Sequence, residues 1–110
     1  MTTSLFNSRG NIAPVSAQNT GSSGTLIAAL PAGYLDLVYL SLTNEGSSAT
    51  VVSITDGTLT YNFALAAYGG GIWDFGPVRP LEATTSDTAW TVSNAGDQTI
   101  DIVAIFQRAV

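Results

Sequence analysis

Short alternations of apolar and polar residues, separated by turns of small residues about every 8 to 12 positions, most constrain the fold of this chain. The clearest case is the stretch 34–56, where an apolar run and a β-branched run flank the polar turn at 44–48. Alternation with a period of two places successive side chains on opposite faces of a strand. The stretch therefore predicts two adjacent strands of one antiparallel sheet.

The same pattern continues along the chain and contains no helix of useful length. Asp56-Gly57 indicates a hairpin, since a tight turn needs a positive φ that glycine accepts without steric cost. We expect about eight strands, at 25–30, 35–43, 50–55, 59–65, 72–75, 81–84, 89–93 and 99–107. Their spacing predicts an all-β domain over 25–110, a single antiparallel β-sandwich or jelly roll.

Two of these strands carry further information. In 35–43, the alternation places Val38, Leu40 and Leu42 on the core face and Leu37 and Tyr39 on the opposite face. In the closing strand 99–107, the outward positions are apolar as well, which predicts cover on both faces.

Residues 1–24 are rich in Ser, Thr, Asn and Gly and contain only isolated apolar residues. Such a segment buries too little apolar surface to offset the entropy lost on ordering. We therefore expect an extended polar N-terminal arm. Its apolar residues are expected to bind either the chain's own domain or another subunit: Leu5, Phe6, Ile12 and Val15.

The charge pattern excludes two classes of partner. Three arginines and no lysine, within a net charge of −5, cannot supply the clustered cations that neutralise phosphates. Neither nucleic acid nor an anionic membrane surface is therefore expected as a partner, and no apolar run approaches the length of a spanning helix. The N-terminus lacks the pattern of a signal peptide, which predicts synthesis in the cytoplasm.

The chain has no histidine and no cysteine, which removes the commonest general base and the best nucleophile. Asp74, beside Trp73 and Phe75, is the most interesting carboxylate for glycoside hydrolysis, although outward exposure on a short strand explains it better. Loop carboxylates are better explained as turn caps than as calcium ligands: Glu45, Asp56, Asp87 and Asp97. We expect no enzyme activity, no metal and no cofactor.

The chain has more apolar and aromatic residues than one sandwich face needs, including Tyr34, Val103 and Ile105. Such an excess is typical of a surface that associates with a partner. Trp73 and Trp90 are expected as core residues or interface anchors rather than a ligand platform. Within the domain, the candidate partner-binding residues are Tyr39, Tyr68 and Trp73.

Over 35–106, the order of motifs resembles a known family. An Asn-led polar turn follows a Leu-Ser-Leu strand, and a Thr-Asp-Gly hairpin comes next. A Phe-Ala-Leu-Ala-Ala segment then runs into three glycines, and Pro77-x-x-Pro80-Leu81 follows. This succession resembles the capsid decoration (cement) proteins of tailed bacteriophages, which are small β-sandwich or jelly-roll proteins.

The resemblance implies a structural virion protein on the outer capsid surface. It would bind the major capsid protein, stabilise the shell, and form a homo-oligomer, with a trimer favoured and a dimer possible. The alternative is a carbohydrate- or receptor-binding module of a fibre or tail, using Trp73 and Tyr68 around Asp74.

Overall fold

The computed structural model describes residues 14–31, 33–76 and 80–109 of the 110-residue chain. These residues form eight strands and no helix, which confirms the predicted all-β class. None of them belongs to a helix long and apolar enough to cross a membrane. The strands are β1 (Val15–Asn19), β2 (Gly24–Ile27), β3 (Tyr34–Asn44), β4 (Thr50–Thr55), β5 (Thr60–Leu65), β6 (Gly70–Asp74), β7 (Trp90–Asn94) and β8 (Ile100–Ala109).

The strands form two four-stranded antiparallel sheets. Sheet A has the order β1-β8-β3-β6, and sheet B has the order β2-β7-β4-β5. The first strand therefore pairs with the last, the second with the seventh, the third with the sixth and the fourth with the fifth. This nested pairing is a long hairpin rolled into two sheets, the arrangement of a jelly roll. The predicted β-sandwich is confirmed.

The core lies between the two sheets and is centred on Trp90, which is fully buried. The Trp90 ring packs against Phe106 at 5.7 Å and Tyr61 at 6.2 Å between centroids. Its indole Nε1 donates a hydrogen bond to the Leu35 carbonyl oxygen, 2.7 Å away. A buried indole N–H without an acceptor would destabilise the fold, so this bond fixes the depth of the ring in the core.

The alternation along β3 shifts by one residue at a bulge between Leu37 and Tyr39. Leu37 is fully buried in the core, and Val38, although buried, lies outside the main core cluster. The prediction that Leu37 shares an outer face with Tyr39 is therefore wrong. The extra residue of a bulge opposes no partner, so side chains on its two sides keep different phases.

The stretch 34–56 contains β3 and β4, but these strands lie in different sheets. The prediction of two adjacent strands in one sheet is therefore wrong. The segment between them crosses the sandwich, and β4 pairs instead with β5 across the loop that begins at Asp56. Gly57 has φ +98 in that loop, as the Asp-Gly signal predicts, but Leu59 belongs to the loop rather than to a buried strand face.

Of the arm expected over 1–24, the structure describes residues 14–24, and these differ from the prediction. Residues 15–19 form β1, which pairs with β8 at an edge of sheet A. The sequence did not predict this strand, because its outward residues Ser16 and Gln18 are polar and its apolar residues that pack on the core are Val15 and Ala17. The strand expected at 81–84 is reduced to a single bridge between Leu81 and Leu37.

The two long sides of the sandwich are closed differently. On one side β1 lies next to β2, and the Asn19 amide donates to the carbonyl oxygens of Val92 and Ser22. On the other side β5 and β6 are both edge strands, and the rings of Phe63 and Trp73 meet between them at 4.7 Å. We call the second side the open side.

Candidate functional site

The outer face of sheet A carries a cluster of apolar side chains. In the register of the sheet, Ser41 lies opposite both Ile72 and Val103, and Tyr39 lies opposite Ile105. Opposed side chains are about 5 Å apart at Cβ, so Tyr39 and Ile105 are direct neighbours, whereas Ile72 and Val103 lie on either side of Ser41 and neighbour Tyr39 along the diagonal. Ile72 is 67 % exposed and Val103 39 % exposed. We call this surface the apolar strip; its members are Tyr39, Ile72, Val103 and Ile105.

Acidic residues lie at both ends of the apolar strip. Asp74 is opposite Tyr39 in the register, and Asp101 is opposite Thr43. Gln18 Nε2 donates to Asp101 Oδ1 at 2.9 Å. In the described part of sheet A the cation is Arg108, which is opposite Leu35 near the end of β8 and away from the apolar strip. A partner that matches this face would offer an apolar surface bordered by cationic side chains.

A shallow groove of about 470 Å³ lies beside the strip where β6 begins. Its lining includes Ile72, the glycine run 69–71, and Tyr68, which is 72 % exposed and has φ +54. A left-handed backbone is uncommon for a bulky residue. The Tyr68 amide donates to Gly46 O at 3.0 Å, which holds the backbone in this conformation.

The buried Asn44 side chain fixes the two loops that present Tyr68. Its Nδ2 donates to Ala66 O at 3.0 Å and to Ser48 O at 2.9 Å, and its Oδ1 accepts from Gly46 N at 2.8 Å. All of the side-chain amide's hydrogens are therefore used. The exposed tyrosine is displayed by a loop whose buried support is fully hydrogen-bonded.

The structure separates the predicted partner-binding residues into three groups. Tyr39 belongs to the apolar strip and Tyr68 lies beside it, at the groove. Val15 and Trp73 instead pack against the core from the inner side of sheet A. Leu5, Phe6 and Ile12 lie outside the described residues.

The residues expected to form a carbohydrate platform are not brought together. Trp73 and Asp74 are neighbours on a strand and therefore point to opposite faces. Trp73 packs inward on Phe63, and a Cβ added at Gly71 would lie 2.8 Å from the Trp73 ring. Tyr68 lies beyond the opposite end of β6 from Asp74.

Sequence reasoning missed Ile72, the most exposed member of the strip. The signal was present in the sequence, because an inward Trp73 requires an outward Ile72 in the same strand. The short run after three glycines gave too few positions to establish the alternation.

The Asp56 carboxylate is buried and serves the fold. Its Oδ1 accepts from the amides of Thr58 and Leu59 at 2.9 Å, and its Oδ2 accepts from Thr84 N and Oγ1 at 2.7 Å. Burial alone would raise the pKa of Asp56, but these donors outweigh it and lower the pKa to about 2. The described residues contain no group of three or more His, Cys, Asp or Glu placed to hold a metal ion.

No protein-family model matches the chain, and no characterised protein matches its sequence. Among solved structures, the chain is similar to one in the cryo-EM structure of the giant freshwater prawn Macrobrachium rosenbergii extra small virus VLP. The match has 10 % identity and a TM-score of 0.42, and covers 90 % of this chain and 79 % of the other. A likeness of this size carries no functional inference.

Proposed function

We propose that this chain is a structural virion protein, a decoration protein that binds the outer surface of a phage capsid and stabilises the shell. The observation that carries the proposal is the apolar strip, which leaves Ile72 and part of Val103 exposed to solvent on sheet A. The motif order over 35–106 supports it, since that order resembles phage decoration proteins. The jelly-roll topology is one that viral capsid domains use, although folds host many functions.

The strip has the properties of a protein-binding surface. Contiguous exposed apolar patches are typical of interaction sites, and aromatic residues are enriched in them. Fully burying a large aliphatic side chain from complete exposure stabilises a complex by about 1.5 to 3 kcal/mol. Ile72 and Val103 are 67 % and 39 % exposed, so each would contribute a correspondingly smaller share. The acidic ends favour a capsid surface that carries lysine or arginine around an apolar centre, and they would steer association.

In this proposal the protein has no catalytic role. The chain lacks histidine and cysteine, and the buried Asp56 carboxylate is occupied by donors from two loops of the chain. The partner is the major capsid protein, and the protein acts at the outer capsid surface after synthesis in the host cytoplasm.

The test compares two lysine variants, one with the substitution on the outer face of sheet A and one with it on the outer face of sheet B. Val103 is 39 % exposed in the apolar strip, and Val51 is 40 % exposed on the outer face of sheet B. Purified Val103→Lys and Val51→Lys proteins are mixed with undecorated capsids of the parent phage, and co-sedimentation and capsid melting are measured. We expect Val103→Lys to lose at least about tenfold in affinity and to lose the rise in capsid melting temperature.

Val51→Lys should bind and stabilise capsids as the unchanged protein does. Equal binding by both variants, with unchanged circular dichroism, would exclude the apolar strip as the capsid-binding surface. Failure of the unchanged protein to bind or stabilise capsids would overturn the proposed function itself.

A further inference from the structure

Strand β6 has one edge that no described residue covers. On its other edge, Asn44 N donates to Gly69 O and Phe75 N donates to Val38 O, which sets the phase of pairing with β3. Hydrogen-bonded pairs alternate along an antiparallel ladder, so residues 71 and 73 bond to β3. The N–H and C=O groups of Gly70, Ile72 and Asp74 therefore point away from the sheet.

The other three edges of the sandwich are less suited to pairing. Strand β2 has only four residues and a register shift. The outward side chains of β1 are polar, and one of them, Gln18, bonds to β8. On β5 the outward Asn62 accepts a hydrogen bond from Ser53. Bulges, shortness and polar side chains are the usual protection of edges, and β6 instead presents Ile72, which is 67 % exposed.

We infer that β6 pairs with β6 of a second copy of this chain, antiparallel, about a two-fold axis at Ile72. In this register Ile72 lies opposite Ile72 of the partner, and Asp74 lies opposite the partner's Gly70. Each of these pairs is of the hydrogen-bonded kind, so every free backbone group from Gly70 to Asp74 gains a partner. The inference rests on the β6 edge and does not depend on capsid binding.

Charge and register together select this axis. An axis at Asp74 would place two carboxylates directly opposite each other, which is destabilising. Axes at Gly70, or one residue to either side of Ile72, leave free N–H or C=O groups of β6 without a partner. The axis at Ile72 avoids both costs. The interface about this axis is isologous, so the assembly closes as a dimer instead of extending into a fibre.

The dimer joins the two copies of sheet A into one continuous sheet. The two Ile72 side chains meet at the axis on the outer face, about 5 Å apart at Cβ. Because Ile72 is the edge member of the apolar strip, the strips of both copies become one apolar surface across the axis. Phe63 and Trp73 meet on the open side of each sandwich, and in this dimer the open side of one copy faces that of the other.

The chain has no cysteine, so one introduced thiol can form a disulfide only between molecules. Opposed residues in a hydrogen-bonded pair have a Cα separation of about 5.5 Å, which a disulfide can span. We expect Ile72→Cys to give a disulfide-linked dimer in nearly full yield under mild oxidation, on a non-reducing gel. The matched control is Val51→Cys, at 40 % exposure on sheet B, which should stay mostly monomeric.

A second variant tests the backbone bonds. Ile72→Pro removes an N–H that bonds to no described residue within the chain, and edge strands tolerate proline at such positions. Light scattering should show the unchanged protein at twice the mass of Ile72→Pro at the same concentration, with equal circular dichroism. If Ile72→Pro fails to fold, Ile72→Lys, which sets two cations at the axis, should give the monomer instead.

A monomeric mass for the unchanged protein at millimolar concentration would overturn the inference. So would equal disulfide yields for Ile72→Cys and Val51→Cys. Val103→Lys should still dimerise, since Val103 lies on β8, so loss of capsid binding and loss of the dimer are distinguishable.

Discussion

Asp56 joins two loops that are distant in sequence. One of its oxygens accepts from Thr58 and Leu59 within the β4–β5 loop, and the other accepts from Thr84. A carboxylate that accepts several charge-assisted hydrogen bonds in a buried position is strongly favoured in its ionised form. Its contribution to stability therefore depends on pH.

We predict that stability falls as the pH is lowered through the range from 3.8 to about 2, the ordinary and the folded-state pKa of Asp56. The folded-state pKa is the lower one, so the ionised carboxylate stabilises the fold above this range and the contribution is lost below it. The loss attributable to Asp56 is about 2 kcal/mol. Urea unfolding across the range measures it.

The Asp56→Asn variant provides the comparison. It should be less stable than the unchanged protein above pH 3.8, because its NH₂ group replaces an oxygen that accepts hydrogen bonds and cannot accept them itself. Since asparagine does not titrate, the pH dependence of stability should also be flatter. Exposed Glu82→Gln is the control and should keep the full pH dependence. An Asp56→Asn profile as steep as that of the unchanged protein would contradict the assignment to Asp56.

Tyr68 combines backbone strain with exposure. A left-handed conformation costs a non-glycine residue about 1 to 2 kcal/mol, and this ring is 72 % exposed. We predict that Tyr68→Gly raises the free energy of unfolding by up to about 1 kcal/mol and weakens capsid binding. Thermal unfolding and co-sedimentation measure the two effects.

Asp87→Gly is the control for that variant, because Asp87 has φ +59 and is also exposed. It should gain less stability than Tyr68→Gly, since aspartate tolerates the left-handed region better than tyrosine, and it should leave binding unchanged. If Tyr68→Gly gains stability and binds capsids as well as before, the strained tyrosine has no part in the interface.

At the scale of elements, the β3 bulge decides which of two adjacent side chains supports the core. We predict that Leu37→Ala lowers the free energy of unfolding by about 2 to 5 kcal/mol, because Leu37 is fully buried within the core cluster. Val38→Ala should cost less, since Val38 lies outside that cluster. Urea unfolding of both variants checks this, and a larger loss for Val38→Ala would contradict the bulge.

The strands that sequence patterns predicted best are those with clean alternation. The β4–β5 hairpin followed from two alternating runs around Asp56-Gly57, and β4 has the predicted bounds. Strand β1 was missed because its short run is mostly polar and gains its stability from pairing with β8. Propensity cannot report such tertiary pairing.

Local sequence patterns could not predict which strands share a sheet. The turn after Asn44 reads as a hairpin, yet Glu45 N donates to Thr99 O and the chain crosses to the other sheet. Only contacts between residues far apart in sequence decide this. For the same reason local patterns left Trp73 open between a core residue and an interface anchor, and its inward packing on Phe63 was not resolved.

For the whole molecule, the jelly roll leaves its two tryptophans in different surroundings. Trp90 is fully buried at the centre, whereas Trp73 is half-buried on the open side. We predict that acrylamide quenches the unchanged protein mainly through Trp73, so Trp73→Phe removes most of the quenching. Raising the protein concentration should reduce quenching as β6 edges pair, and Ile72→Pro should abolish that dependence.

If acrylamide quenching of Trp73 does not fall as the protein concentration is raised, the prediction that dimerisation covers the open side is contradicted. If Trp73→Phe is quenched as strongly as the unchanged protein, the full burial of Trp90 is contradicted.

The hydrogen bonds of Asn44 have a thermodynamic consequence. Because its amide already holds the loops around Gly46 and Ala66, a partner that closes on Tyr68 orders little additional chain. Binding then loses mainly rigid-body freedom and side-chain rotamers, rather than backbone entropy. The heat-capacity change on association should therefore match the apolar area buried at the contact, without the excess that accompanies coupled folding.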